Sequence, residues 1–299
     1  MTTTHPSPTT APLLPPAATT LAVTRRPVLS LQRTSSSTFS VTRFQIAGLA
    51  GRYDYSLDFS PSDRITFLTG PNGSGKSVIL RLMAAMLSGL ELGVSSVPFD
   101  LVTMELSDGR CMRLYRQSDS SLRWLGCGFG NPSSVPLLDC NTVLPPSSDI
   151  TNPNSEHSVR FLSRFDAGWE RRLSDCDGDL SSFSSGERRL LLLARAIDTA
   201  HRDRSPLLLL DGIESEIHER WRRELSRTLL SCLPSCTSVI WATHSPTLKH
   251  GDWANTIDLY ESLHPERFRH GKSVTAGTLR PSEYASDPRF WSLPALRVI

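Results

Sequence analysis

The 299-residue chain has no run of 18 apolar residues, so no membrane span and no membrane partner are expected. It also lacks a C-x-x-C pair. The six cysteines (Cys111, Cys127, Cys140, Cys176, Cys232 and Cys236) are scattered, the closest two lying four residues apart. Such spacing suits separate thiols in a reducing compartment, and a cytoplasmic location is expected. An excess of one charge is missing too: 32 Lys and Arg against 30 Asp and Glu leave +2, too little to select nucleic acid or a lipid surface by field alone. No acid precedes Asp54. Residues 1–38 are instead rich in Thr, Pro, Ala and Ser, and their repeated prolines interrupt both helix and sheet. A disordered tail is expected there, and the same prolines break the amphipathic helix that an organelle transit peptide needs. Sustained heptads are absent, which argues against coiled-coil arms. With 38 % hydrophobic residues, the remaining chain can bury a core, and residues 39–299 are expected to form one domain.

After the tail, strand and helix patterns interleave. Segments 41–49 and 53–59 look like two strands around a Gly-containing turn, and 64–69 is a buried strand ending at Gly70. Residues 77–87 have helical spacing, and 99–117 alternates on both sides of Ser-Asp-Gly, a hairpin signature. Residues 127–155, rich in Gly, Asn, Pro and Ser, are expected to be a surface insertion. An amphipathic helix is expected over 157–173, a helix rich in strong helix formers over 187–200, and a further helix over 217–230 between the buried strands 206–210 and 238–243. Strand–helix–strand order implies a parallel sheet.

Residues 70–77, GPNGSGKS, fit G-x-x-x-x-G-K-[ST] between a strand and a helix, the context that this phosphate-binding motif requires. Gly70, Gly73 and Gly75 let the backbone turn tightly and approach phosphate without a Cβ. The N–H groups of residues 73–77 then open a helix whose dipole favours anions. Lys76 is expected to reach the β- and γ-phosphates and Ser77 to ligate Mg²⁺, while Asn72 and Ser74 complete the loop. ATP and Mg²⁺ are the expected ligands.

Residues 183–197, FSSGERRLLLLARAI, put Ser-Ser-Gly at a helix start with Glu187 in the first turn. Alone this is an ordinary helix cap. Between a phosphate loop and a buried strand ending in an acid, it resembles the signature motif of ABC-type ATPases. The resemblance implies that Ser184, Ser185, Gly186 and Glu187 stand for the last four residues of Leu-Ser-Gly-Gly-Gln, with Phe183 for the leucine, and contact ATP bound by a second copy. THSPTL (243–248) resembles the Thr-His-Ser-Pro switch of RecF-like, OLD-like and Septu-type ATPases, and 211–225 resembles their Asp-Glu-Pro-Glu segment. The chain is thus similar to the ABC-like (SMC/RecF/OLD/Septu-type) ATPases, as a compact head without arms. That resemblance implies an α/β P-loop NTPase fold: a mostly parallel core sheet, an antiparallel β subdomain and a helical signature subdomain. It also implies an ATP-sandwiched homodimer that regulates a separately encoded effector such as a nuclease, with nucleic acid as a further candidate partner, in antiphage defence or DNA maintenance. An ATP-loaded scaffold without useful turnover and a transporter ATPase subunit are the alternatives. The family's Q-loop glutamine has no clear counterpart, and Gln117 is a poor one.

The acids after the second buried strand are harder to read. Asp211 ends that strand and is expected to reach Mg²⁺. The next position, where the family has a glutamate that orients water, is Gly212. Three arrangements stay open. Glu214 or Glu216 could swing in as a base, His244 with bulk water could support slow turnover, or hydrolysis could be negligible. Tyr53, Tyr55 and Arg52 are candidates for stacking on adenine. His218 is expected to be structural.

Overall fold

The computed structural model describes residues 39–51, 53–89, 94–117, 120–126, 137–139, 156–175, 180–245, 248 and 254–260. The expected N-terminal tail, Arg52 and most of the 127–155 segment lie outside them.

Two five-stranded sheets carry the fold. Strands β1 (Val41–Leu49), β2 (Tyr53–Asp58), β4 (Leu101–Leu106), β5 (Cys111–Arg116) and β6 (Leu122–Leu125) form an antiparallel sheet in the order β2-β1-β4-β5-β6. Strands β3 (Ile65–Thr69), β7 (Leu137–Asp139), β8 (Leu207–Asp211), β9 (Ser238–Ala242) and β10 (Asn255–Asp258) form a parallel sheet in the order β10-β3-β9-β8-β7.

Side chains of the parallel strands alternate between two buried clusters. Leu68, Leu207, Leu209, Ile240 and Ala242 pack with α1 (Lys76–Ser88) and the antiparallel sheet. Ile65, Phe67, Leu208, Leu210, Val239 and Trp241 pack with residues of α2 (Glu156–Ser163), α3 (Trp169–Asp175), α4 (Ser185–Asp203) and α5 (Glu219–Cys232). Covering both faces explains why β8 reads as an unbroken apolar run and not as an alternation.

Two sequence expectations change. Leu137–Asp139, within the segment expected to be a surface insertion, is strand β7. It runs parallel to β8, with Asp139 opposite Asp211. Three residues between prolines and polar positions are too few to show a period. The single helix expected over 157–173 is two helices, because Asp166 Oδ1 accepts the Gly168 N–H at 2.8 Å and turns the chain between them. His218 caps α5, its Nδ1 accepting the Arg220 N–H at 3.2 Å, which is a structural role.

Candidate active site

β3 leads straight into the phosphate-binding loop. Gly75, at φ 88°, caps α1 in the left-handed region, and a Cβ there would stand 3.0 Å from Leu49 Cδ2. Lys76 is buried, and its Nζ donates to Gly70 O and Pro71 O, each at 2.9 Å. Burial lowers its pKa, while the charges of Asp211 and Asp258 oppose that shift. The antiparallel sheet braces the loop: the Tyr55 hydroxyl donates to Ser74 O at 2.6 Å. Burial, helped by Tyr53, pushes the Tyr55 phenol up to about 12. Tyr55 is therefore committed to holding the loop and is not free to stack on a base. Tyr53 is half-buried and stacks on Tyr55 with centroids 6.1 Å apart.

The carboxyl ends of β3, β8, β9 and β10 gather the remaining polar groups. A cavity of about 300 Å³ there is lined by Thr69, Gly70, Pro71, Thr243, His244, Asp258 and Tyr260. Openings at the carboxyl edge of an open parallel sheet are the usual ligand position in such folds. His244 is exposed and Asp211 is buried. Asp258 accepts the Thr69 hydroxyl at 3.3 Å and the Tyr260 N–H at 2.8 Å. Its only sequence signal was a short strand ending in an acid, and it was missed. After Asp211 the chain steps through Gly212 at φ 59°, whose N–H donates to Ala242 O at 2.9 Å. Glu214 then turns inward. It is 3 % exposed and accepts the Trp241 Nε1–H at 2.9 Å and the Thr243 hydroxyl. Glu216 stays exposed.

At the start of α4, Ser184 and Glu187 form a capping box. Ser184 Oγ accepts the Glu187 N–H, and Glu187 Oε2 accepts the Ser184 N–H at 2.8 Å. Ser184 and Ser185 are exposed, while Gly186 is buried. Glu187 also accepts from Arg172 Nη1 at 2.6 Å, and that guanidinium lies 5.2 Å from the Trp169 ring centroid and 4.8 Å from that of Phe183. Arg172 carried no signal in the sequence, because its partner lies 15 residues away across a helix break. Glu216 O lies where a Cβ on Gly186 would be, 2.6 Å from it, and the Glu216 carboxylate meets Arg189 Nε at 3.3 Å. The turn after β8 thus touches the start of α4 directly. Gln117 Oε1 accepts from Ser121 and Arg123 within its own turn, and it takes no part in this site.

Burial would raise the Glu187 carboxyl, but hydrogen bonds from Arg172 and Ser184, with the charge of Arg172, outweigh it and hold its pKa below the usual range. A carboxyl depressed in the folded state adds stability that is fully present above its unfolded value, about 4.3, and is lost as pH falls through the lower folded value. The difference in melting temperature between wild type and Glu187→Gln is therefore expected to be steady at neutral pH and to shrink below about pH 4, followed by calorimetry.

The family model described as "AAA domain, putative AbiEii toxin, Type IV TA system" matches residues 141–248, which hold α4, β8 and the Thr243–Ser245 switch. The vitamin B12 import ATP-binding protein of Citrobacter koseri is 28 % identical over 201 residues, 65 % of this chain and 72 % of that protein. In these two matches the chain is similar to ABC-type ATP-binding proteins. Among solved structures, the SMC head domain from Thermotoga maritima is 18 % identical at a TM-score of 0.47, covering 73 % of this chain and 94 % of that one. The Smc head with an extended coiled coil from Pyrococcus furiosus is 13 % identical at 0.49, covering 70 % and 91 %. The residues present fit a nucleotide phosphate by their own chemistry. The loop offers helix N-terminal N–H groups and a buried lysine to phosphates. Among the described residues no group of three or more His, Cys, Asp or Glu gathers as a metal cage. Mg²⁺ keeps several waters and takes few protein ligands, and a serine hydroxyl and a carboxylate, such as those of Ser77 and Asp211, would be ligands of the right chemical kind. No helix among the described residues is long and apolar enough to cross a membrane.

Proposed function

We propose that the chain is an ATP-binding ABC-like head that pairs with a second copy around ATP, turns ATP over slowly, and so sets the state of a separately encoded effector. The observation that carries this reading is the shared sheet edge. The Lys76 loop, Asp211 and His244 stand at the ends of β3, β8 and β9, while Ser184 stands exposed at the start of α4. In this reading Lys76 and the first N–H groups of α1 hold the β- and γ-phosphates. Ser77 and Asp211 would hold Mg²⁺, which neutralises charge between phosphates when bound. Ser184, Ser185 and Gly186 are offered to the γ-phosphate of the second copy, and Glu187 fixes their geometry.

Slow turnover follows from the region after Asp211. Gly212 has no side chain, and Glu214 is turned toward Trp241 and Thr243. A positioned general base contributes roughly 10²–10⁴ in rate, and a site without one suits a switch better than a motor. The toxin–antitoxin wording of the matching family model supports a role in defence or DNA maintenance, with cutting or other chemistry done by a partner. The same features favour a second reading, an ATP-loaded scaffold with no useful turnover. Phosphate release that does not depend on Lys76 would select the scaffold. The dimer is tested by light scattering: the mass is expected to double with Mg·ATP, and Ser184→Arg is expected to stay monomeric. An ATP-induced dimer of Ser184→Arg would rule out the sandwich.

A further inference from the structure

We infer that Glu214 is a positioning residue that fixes the His244 switch through Thr243, and that it is not the general base. The chain reaches this arrangement by a left-handed step at Gly212 (φ 59°) followed by two tight turns, Ser215 N–H to Gly212 O at 3.1 Å and Ile217 N–H to Glu214 O at 3.0 Å. Glu214 is thereby carried beneath the end of β9. Oε2 accepts the Trp241 indole N–H at 2.9 Å and Oε1 accepts the Thr243 hydroxyl. Thr243 Oγ1 in turn accepts the Ser245 N–H at 2.9 Å. All four residues are buried: Glu214 3 %, Trp241 0 %, Thr243 1 % and Ser245 8 % exposed. His244 lies between two of them, yet it is exposed and lines the cavity beside Gly70 and Pro71.

The Thr243 hydroxyl is thus held by the buried carboxylate and in turn holds the Ser245 N–H on the other side of His244, whose imidazole is exposed. A base needs a lone pair facing a water near the reacting phosphate. Glu214 faces two buried donors and is itself buried. A carboxylate suits this interior position because it is acceptor-only, and each oxygen here meets a donor. Removing it would leave an indole N–H and a threonine hydroxyl without their acceptor, a cost that loosens the switch. The geometry stands without any nucleotide, and only its effect on turnover rests on the ATPase reading above.

The test compares Glu214→Leu, Glu214→Gln, Thr243→Val, Thr243→Ser and the Glu214→Leu/Thr243→Val pair by phosphate release, by affinity for a fluorescent ATP analogue, and by hydrogen exchange at the Ser245 amide. Displacing a catalytic group by about an ångström costs up to roughly 100-fold. Glu214→Leu and Thr243→Val are each expected to lower turnover about 10- to 100-fold, with analogue affinity unchanged within about twofold, because the Lys76 loop is untouched. The pair is expected to be no worse than its worse member, because the two act in one chain. Glu214→Gln, which keeps hydrogen-bonding capacity but cannot take a proton, is expected to retain more activity than Glu214→Leu. Thr243→Ser, which keeps the hydroxyl, is expected to retain more activity than Thr243→Val. Ser245 exchange should quicken in Glu214→Leu and Thr243→Val and not in Thr243→Ser. The inference fails if Glu214→Gln is as inactive as Glu214→Leu while Thr243→Val turns over normally. It also fails if Ser245 exchange is unchanged in both the Glu214→Leu and Thr243→Val variants. A wild type that binds no ATP, or releases no phosphate through Lys76, would defeat the ATPase reading, and Ser245 exchange would still decide the positioning role.

Discussion

Lys76→Ala is expected to weaken Mg·ATP binding by about 10²–10³-fold, measured by titration calorimetry. Hydrogen bonds between charged groups contribute about 1.5–3 kcal/mol each, and two bonds to phosphate oxygens at the lower end of that range amount to about 3–4 kcal/mol. Each 1.4 kcal/mol is about tenfold in affinity. The protein itself should tolerate the change, because the carbonyls that Lys76 holds, Gly70 O and Pro71 O, belong to a loop whose Pro71 and Asn72 are exposed. A melting temperature close to wild type, with affinity lost, separates a binding defect from unfolding. Affinity within a few-fold of wild type would mean that the loop does not hold phosphates through this lysine.

Gly186→Ala is the second large effect. Alanine normally strengthens a helix relative to glycine, by up to about 1 kcal/mol. Here the added Cβ would stand 2.6 Å from the backbone oxygen of Glu216. Backbone cannot rotate away as a flexible side chain can, so either α4 or the turn after β8 must move. Overpacking of this kind costs about 1–3 kcal/mol, which outweighs the propensity gain. The substitution is expected to destabilise the fold by about 1–2 kcal/mol on that balance. It should also weaken the proposed ATP-dependent dimerisation more than stability, because the displaced groups, Ser184 and Ser185, are those that the proposal offers to a second copy. Urea unfolding and light scattering on the same sample give both numbers. A net stabilisation would show that the contact between Gly186 and Glu216 is looser than it stands here.

What could be read from the sequence was local. Gly70–Ser77 announced a loop because its glycines and lysine sit within eight residues, and β8 and β9 announced themselves as unbroken apolar runs. The Ser184–Glu187 capping box was legible for the same reason: its partners lie three residues apart. The rest depends on distant partners. Glu214 meets Trp241 and Thr243 at separations of 27 and 29 residues, and no spacing rule could turn its side chain inward. The Tyr55 hydroxyl finds Ser74 O across 19 residues, so a ring that looked free for adenine is spent on the loop. β7 was hidden by its length, since only its parallel pairing with β8 makes those residues a strand. The break at Asp166 was hidden because apolar spacing runs on through it, while one side-chain hydrogen bond to Gly168 redirects the chain.

The left-handed step at Gly212 also bears on how this chain could change over generations. A single base substitution can turn a glycine codon into a glutamate codon and refill the position that the family uses for its water-orienting acid. At φ 59° any residue other than glycine is strained, by about 1–3 kcal/mol. Relieving that strain means swinging the backbone out of the left-handed region, and this same bend is what delivers Glu214 to Trp241 and Thr243. A glutamate at 212 and a buried Glu214 are therefore competing solutions drawn from one stretch of backbone. A lineage that adopted the second can regain the first only by dismantling the support beneath its histidine, so the slow turnover proposed above would be protected from easy reversal.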